Sequence, residues 1–415
     1  MADGKSKLLH LISENLGGAT VTKNTEMSER FCFRGHIPAL DGLRGIAILL
    51  VLMLHFYFAG EERINAAYPI IGPLITKLAM AGHYGVPLFF VLSGFLITGI
   101  LVDSRGSSNY FRVFYMRRFL RIFPLYYATL CVVLLILPHF VTFAVDGQSV
   151  LSRQVWLWTY LINAPWSGGG WAAEGVFQLG HFWSLCVEEH FYILWPLVVY
   201  VLSSRSLSRV CLGGIVLGVV FRIAHSIPES PVILGWSTLT SADGLFVGSL
   251  LAIGLRDPNA CLKIGKWFRR VMLISGTLVV AQIFIPRRLH ETWWWAFCEL
   301  NFVVFFGALL VAALCAKGAL SRILKSRILC NFGKYSYGIY VIHMVCQPAF
   351  ERLFCHMDLL SGRAVTPLLG QFVFYSMTIT SSYLLAYGSY HLMEKHFLSL
   401  KRHFDYKSAT SAIPA

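Results

Sequence analysis

Ten mostly apolar stretches, each about 18–22 residues long and set apart mainly by short polar connections, leave this chain few ways to fold. An α-helix of that length crosses the hydrocarbon core of a bilayer. Backbone N–H and C=O groups cannot go unpaired in lipid, so spanning segments must be helices or closed barrels. The stretches lack the strict alternation of barrel strands. Composition agrees: 56% of the 415 residues are hydrophobic and 13% are charged, outside the range of ordinary soluble domains. The chain therefore reads as an all-α, polytopic integral membrane protein of about ten transmembrane helices, with the lipid bilayer as its obligatory partner.

The spans are expected at 39–59, 83–103, 119–138, 184–203, 209–226, 237–255, 271–286, 295–315, 332–350 and 367–390. Residues 36–395 then form one transmembrane domain. Residues 1–35 read as a partly disordered cytoplasmic tail and 396–415 as a basic cytoplasmic tail. The N-terminal stretch lacks the basic start, short apolar run and small-residue cleavage site of a signal peptide.

The net charge of +14 is distributed in a way that argues against a nucleic-acid partner. With the N-terminus placed in the cytoplasm, 26 of the 35 Lys and Arg residues fall in or beside inside connections and 7 outside, with Arg44 and Arg222 inside spans. That is the positive-inside bias, and it places both termini in the cytoplasm. The ten cysteines are scattered, mostly in or beside spans, with no C-x-x-C pair, so neither a structural metal nor an obligatory disulfide is expected.

One connection is long. Residues 139–183 contain Trp156, Trp158, Trp166, Trp171 and the run Ser167-Gly168-Gly169-Gly170. The tryptophans fit an interfacial belt or a sugar-stacking surface. Trp293-Trp294-Trp295, at the outer end of the eighth span, fit the belt. No internal repeat is visible, which disfavours a transporter built from two related halves.

Ionisable residues inside spans are costly in lipid, so they mark function by default. Arg44 and His55 are eleven residues apart in the first span. At about 100° per residue they lie within roughly 20° of each other, about 16 Å apart along the axis. They share one stripe, and a buried neutral histidine there can accept a proton. Arg118 and Arg121 share a face at i, i+3, a pairing suited either to multidentate phosphate contacts or to membrane anchoring. Ser93-Gly94 in span two permits close helix approach. In span four, Glu188 and Glu189 diverge by about 100°, so both are not expected to face the bundle centre. His181 and Glu188 can share a face if the helix reaches back that far. A glutamate here could orient a histidine, bind an acceptor, or form an inter-helix salt bridge. Asp41, Glu189, His181 and His343 are further candidates for acceptor contact or support.

In order and spacing, six stretches resemble the membrane acyltransferase-3 family. They are DGLRGIAILLVLMLH (41–55), GVPLFFVLSGFLIT (85–98), RRFLRIFPLYY (117–127), HFWSLCVEEHFYILWP (181–196), DGLFVGSLLAIG (243–254) and YSYGIYVIH (335–343). The resemblance covers about residues 36–395 and implies O-acylation, commonly acetylation, of envelope polysaccharides, lipopolysaccharide, peptidoglycan or secondary metabolites. It also implies residence in a bacterial plasma membrane. The donor it implies is a cytoplasmic acyl-CoA, acting as co-substrate with no tightly bound cofactor.

The family's Arg-x10-His pair falls on Arg44 and His55, its Arg-x-x-Arg pair on Arg118 and Arg121, its Ser-Gly-Phe on Ser93, Gly94 and Phe95, and its paired acidic motif on Glu188 and Glu189. Three departures stand out. His190 replaces the glutamine usual after the glutamates, Pro87 occupies a position that is often polar, and Thr240-Ser241 stand where an arginine often precedes Asp-Gly. A fused esterase-like domain, present in some members, is not expected here.

The resulting expectation is a donor held by Arg118, Arg121, Arg44 and Ser93, with His55 as general base or acyl carrier, and Arg44 and Glu188 beside it in the catalytic set. The acceptor would be a hydroxyl of an envelope carbohydrate or glycosylated metabolite. The competing classes are a proton-coupled transporter or flippase using Arg44, His55 and Glu188, and a non-catalytic acyl-CoA sensor. The acyl group, the acceptor and any homo-oligomer stay open at this level.

Overall fold

The computed structural model describes residues 36–140, 154–164, 179–226, 237–284, 292–356 and 365–407. The expected N-terminal tail and most of the long connection, including Trp166, Trp171 and the glycine run, lie outside the described residues. Among the described residues there is no strand. Ten longer helices carry the fold: α1 Pro38–Tyr57, α2 Gly85–Ser104, α3 Tyr110–Leu130, α4 Trp183–Val201, α5 Ser204–Ser226, α6 Asp243–Gly254, α7 Pro258–Phe284, α8 Thr292–Leu314, α9 Arg327–His356 and α10 Pro367–Ser389.

Each expected span overlaps one of these helices among the described residues. Six are long and apolar enough to cross a membrane by length and composition: α1, α2 with its lead-in from Gly72, α3 with its continuation to His139, α4, α5 and α8. Apolar runs misjudge the ends, because polar flanking turns stay helical. Thus α3 starts at Tyr110, well before the expected 119, and continues into a π-helical turn, Cys131–Ile136. The sixth span departs most. Instead of one helix over 237–255 there is a single turn, Thr238–Ser241, and then the twelve residues of α6. These cover about 18 Å, short of the roughly 30 Å core. The break has a chemical cause. The Thr240 carbonyl accepts from Arg222 Nη1 at 2.6 Å, and the Gly244 N–H, its helical partner, turns to Asp243 Oδ1 at 3.0 Å.

Two helix pairs form the most extensive contacts, α1 along α9 and α2 along α6. Both depend on glycine. A Cβ on Gly94 would sit 2.0 Å from the Leu245 carbonyl oxygen, and one on Gly333 would sit 1.9 Å from that of Asp41. Small residues let backbones approach this closely, which is how helices associate when lipid offers no hydrophobic contrast.

The described part of the long connection folds back on α3. Tyr126 and Tyr127 donate from their hydroxyls to the carbonyls of Leu157 (2.7 Å) and Trp158 (3.1 Å). Trp158 stacks on Tyr127 with ring centroids 5.9 Å apart, and Trp156 packs half-buried against the core.

Candidate active site

Helices α1, α2, α3, α4 and α9 converge on a cavity of about 200 Å³. Its wall includes Arg44 from α1, Ser93 from α2, Arg118 and Arg121 from α3, Glu188 and Glu189 from α4, and Tyr340 from α9. The i, i+3 spacing of Arg118 and Arg121 puts both guanidiniums on this one wall. Neither has an ion pair or hydrogen bond among the described residues. Arg118 instead lies 5.9 Å from the centre of the Tyr192 ring. A guanidinium with unused donors is suited to bind phosphate or carboxylate in a bidentate manner. Arg44 differs, since its Nη1 donates to Asp41 Oδ1 at 2.9 Å, and Asp41 also bonds His36.

Both glutamates border the cavity, which corrects the expectation that only one could face the centre. The cavity wraps around the corner of α4, reaching Ser93 and Ile97 on α2 and Ser336 and Tyr337 on α9, and so takes in more than 100° of the helix surface. Glu188 Oε1 accepts from Ser93 Oγ at 2.5 Å. Glu189 is 6% exposed, and its Oε1 has no hydrogen-bond partner. The helix does not reach back to His181 in α form. A 3₁₀ turn, Leu179–Phe182, precedes α4 and turns His181 away from Glu188 into a separate cluster.

That cluster joins His55, His181 and His343. His343 is fully buried, its ring centroid 5.0 Å from that of His55 and 5.1 Å from that of His181. His343 Nδ1 lies 2.7 Å from the Tyr340 carbonyl and 3.1 Å from that of Ile339. Carbonyls only accept, so this nitrogen carries the hydrogen. In neutral His343 the Nε2 must then accept, and its partner at 2.9 Å is His55 Nδ1, which therefore donates. Neutral His55 is left with its lone pair on Nε2, the form a general base requires. Among the described residues no group of His, Cys, Asp or Glu is arranged to hold a metal ion.

Arg44 and His55, expected to share one stripe of α1, have different surroundings here. Arg44 lines the cavity, and His55 is not among its lining residues. Tyr340 touches both the cavity and the histidine cluster. Tyr340 faces the cavity, donates to the His181 carbonyl at 2.9 Å, meets Ser184 Oγ at 2.5 Å, and sits 5.7 Å from His343 between ring centroids. Sequence reasoning passed over Tyr340 and Ser184. The i, i+3 spacing of Tyr340 and His343 was the signal that could have found them.

The departures from the family pattern also find their places. His190 bridges elements, with Nδ1 2.7 Å from Thr238 Oγ1 and Nε2 2.9 Å from the Tyr160 carbonyl. Pro87 sits in the first turn of α2, where its missing N–H costs nothing. Asp243 takes a guanidinium partner from α5, with no arginine immediately before it in sequence. Arg222, 2% exposed, donates from Nη2 to Asp243 Oδ2 at 2.7 Å.

Comparisons with known proteins identify the family of the chain. The acyltransferase domain model matches residues 37–387. The chain is 27% identical over 325 residues to the peptidoglycan O-acetyltransferase OatA of Listeria monocytogenes, covering 75% of this chain and 49% of that protein. It is 27% identical over 340 residues to the putative peptidoglycan O-acetyltransferase YrhL of Bacillus subtilis (74% and 48%). It is also 27% identical over 345 residues to the O-acetyltransferase OatA of Staphylococcus aureus (78% and 52%). The chain thus spans about half the length of these relatives. No solved structure matches it. The cavity's arginines and carboxylates lie within the matched region, and the chain belongs to the acyltransferase-3 family of membrane acyltransferases.

Proposed function

We propose that this protein transfers an acyl group, of acetyl size in its relatives' names, from acyl-CoA to a hydroxyl of a cell-envelope carbohydrate such as peptidoglycan. The observation that carries this reading is the pairing of two environments across Tyr340. On one side are two guanidiniums with unused donors, and on the other a histidine whose tautomer leaves Nε2 basic. The positive-inside bias puts the arginine end at the cytoplasm, where acyl-CoA is found.

In this reading the donor phosphates meet Arg118 and Arg121, and the thioester points along the cavity towards Ser184 and Tyr340. His55 Nε2 takes the proton of the acceptor hydroxyl. The oxygen attacks the thioester carbonyl, the C–S bond breaks, and the leaving thiolate receives that proton back from His55. His343 holds His55 in the working tautomer through the 2.9 Å contact. Glu188, fixed by Ser93, is placed to orient the donor or the acceptor.

His55→Ala is the direct test. A general base contributes about 10²–10⁴-fold, so transfer should fall by that factor while expression and membrane insertion persist. Full activity in this variant would end the role of His55. Purified protein incubated with labelled acyl-CoA tests the class itself, because a transporter would consume no thioester.

A further inference from the structure

The segment that follows α10 does not trail away from the bundle. After a π-helical turn, Tyr390–Glu394, and a short helix, Lys395–Ser399, it makes a 3₁₀ turn at Leu400–His403 and crosses beneath α3. It is tied down there by its own backbone and side chains. Arg117 Nη2 donates to Asp405 Oδ1 at 2.9 Å, and Asn109 Nδ2 donates to the Asp405 carbonyl at 2.9 Å. The Lys407 N–H donates to Asn109 Oδ1 at 3.0 Å. Between this strap and helices α2 and α3 lies a second cavity, about 370 Å³ in volume, whose wall carries Arg117, Arg118, Lys401 and Tyr406. It shares Arg118 and Ile100 with the cavity described above. An acidic side chain on its wall, Asp103, is already engaged by Arg256, which donates from Nε at 2.8 Å and from Nη2 at 2.6 Å.

We infer that this strap completes the donor site, with Lys401, Arg117 and Arg118 holding the phosphate groups at the nucleotide end of the acyl carrier. The inference rests on the acyl-CoA reading and extends it to a part of the chain that sequence reasoning treated as a basic tail. Three arguments support it. The two cavities meet at Arg118, so one elongated ligand can occupy both, with its acyl end inward. The second cavity, at about 370 Å³, has room for a phosphate-bearing end, and its wall includes the Ser107 hydroxyl, which suits phosphate oxygens. Finally, its cations are crowded. Burial, then the charges of Arg121, Arg118 and Arg117, push the Lys401 ammonium down to about 7, a cost that an anion among them would relieve.

The test is titration of the purified full chain with CoA and with dephospho-CoA, which lacks the 3′-phosphate. Wild type is expected to prefer CoA. Lys401→Gln should lower CoA affinity roughly tenfold and erase most of that preference, as loss of one charged phosphate contact implies. Lys401→Arg should retain both. If Lys401→Gln leaves CoA binding unchanged while Arg121→Ala weakens it, the strap is excluded and the donor reading stands. If wild type binds no CoA, both fall. An equal loss for CoA and for an acylated pantetheine without the nucleotide marks Lys401 as merely structural and overturns the inference. So does Lys401-dependent retention of phosphatidylglycerol with CoA binding unaffected, which would reassign the cavity to a lipid headgroup.

Discussion

Arginine is used in two opposite ways inside this bundle. Arg222 is closed on itself: 2% exposed, it spends one nitrogen on the Thr240 carbonyl and another on Asp243. Arg118 and Arg121 are open, lining a cavity with no acidic partner within salt-bridge range among the described residues. The first arrangement builds structure, because a buried charge must be paired or its burial is costly. The second leaves guanidinium donors unused at a cavity wall. A family motif and a buried position do not separate the two cases. The hydrogen-bond inventory does.

The contrast can be broken most sharply at the closed site. Arg222→Ala leaves Asp243 buried and uncompensated, and should cost about 3–5 kcal/mol of stability, read as a lowered unfolding temperature of the purified protein. Replacing both partners at once, Arg222→Met with Asp243→Leu, should recover most of that loss, since apolar substitutes for a buried pair are often neutral. If the double variant is no better than the single one, the pair does more than pack.

At the open site the pattern should invert. Arg118→Ala with Arg121→Ala should leave the unfolding temperature nearly unchanged and weaken acyl-CoA binding by about 10²-fold or more, given roughly 1.5–3 kcal/mol for each charged contact. A lowered unfolding temperature in this variant with donor affinity unchanged would erase the distinction between the two kinds of arginine.

A smaller effect probes the wall between the open cavity and the histidines. His343→Ala removes the acceptor that fixes His55, and turnover should fall by about 10²-fold from misplacement, with donor affinity retained. The smallest change concerns His190. His190→Gln keeps a donor and an acceptor in the clamp between Tyr160 and Thr238, and should shift stability by no more than about 1 kcal/mol.

How much of this was visible beforehand depended on whether the governing distance runs along the chain or across it. The helices were legible because bilayer thickness sets the length of an apolar run. Arg118 and Arg121 were legible because i, i+3 spacing determines a shared face. The shortened α6 was not, because hydropathy says nothing about a backbone carbonyl diverted to Arg222. That arginine carried the one available hint, since a guanidinium inside a span demands a partner. The shared exposure of Glu188 and Glu189 escaped a helical-wheel argument that assumed a single bundle axis. The stripe that Arg44 and His55 were expected to share on α1 does not reveal that only Arg44 lines the cavity, while His55 pairs with His343. Lys401 was counted only as a positive-inside charge, because no local pattern announces that the tail doubles back.

The glycine contacts have a mechanical corollary. With Gly333 pressed on Asp41, α1 and α9 are joined backbone to backbone at the cavity, and with Gly94 pressed on Leu245, α2 is joined in the same way to α6 behind it; neither pair can slide without collision. Helix α3 contains no glycine and makes no such backbone contact. The wall that carries Arg118 and Arg121 is therefore held to its neighbours by side chains, such as the Tyr337 hydroxyl on the Ile122 carbonyl at 2.6 Å.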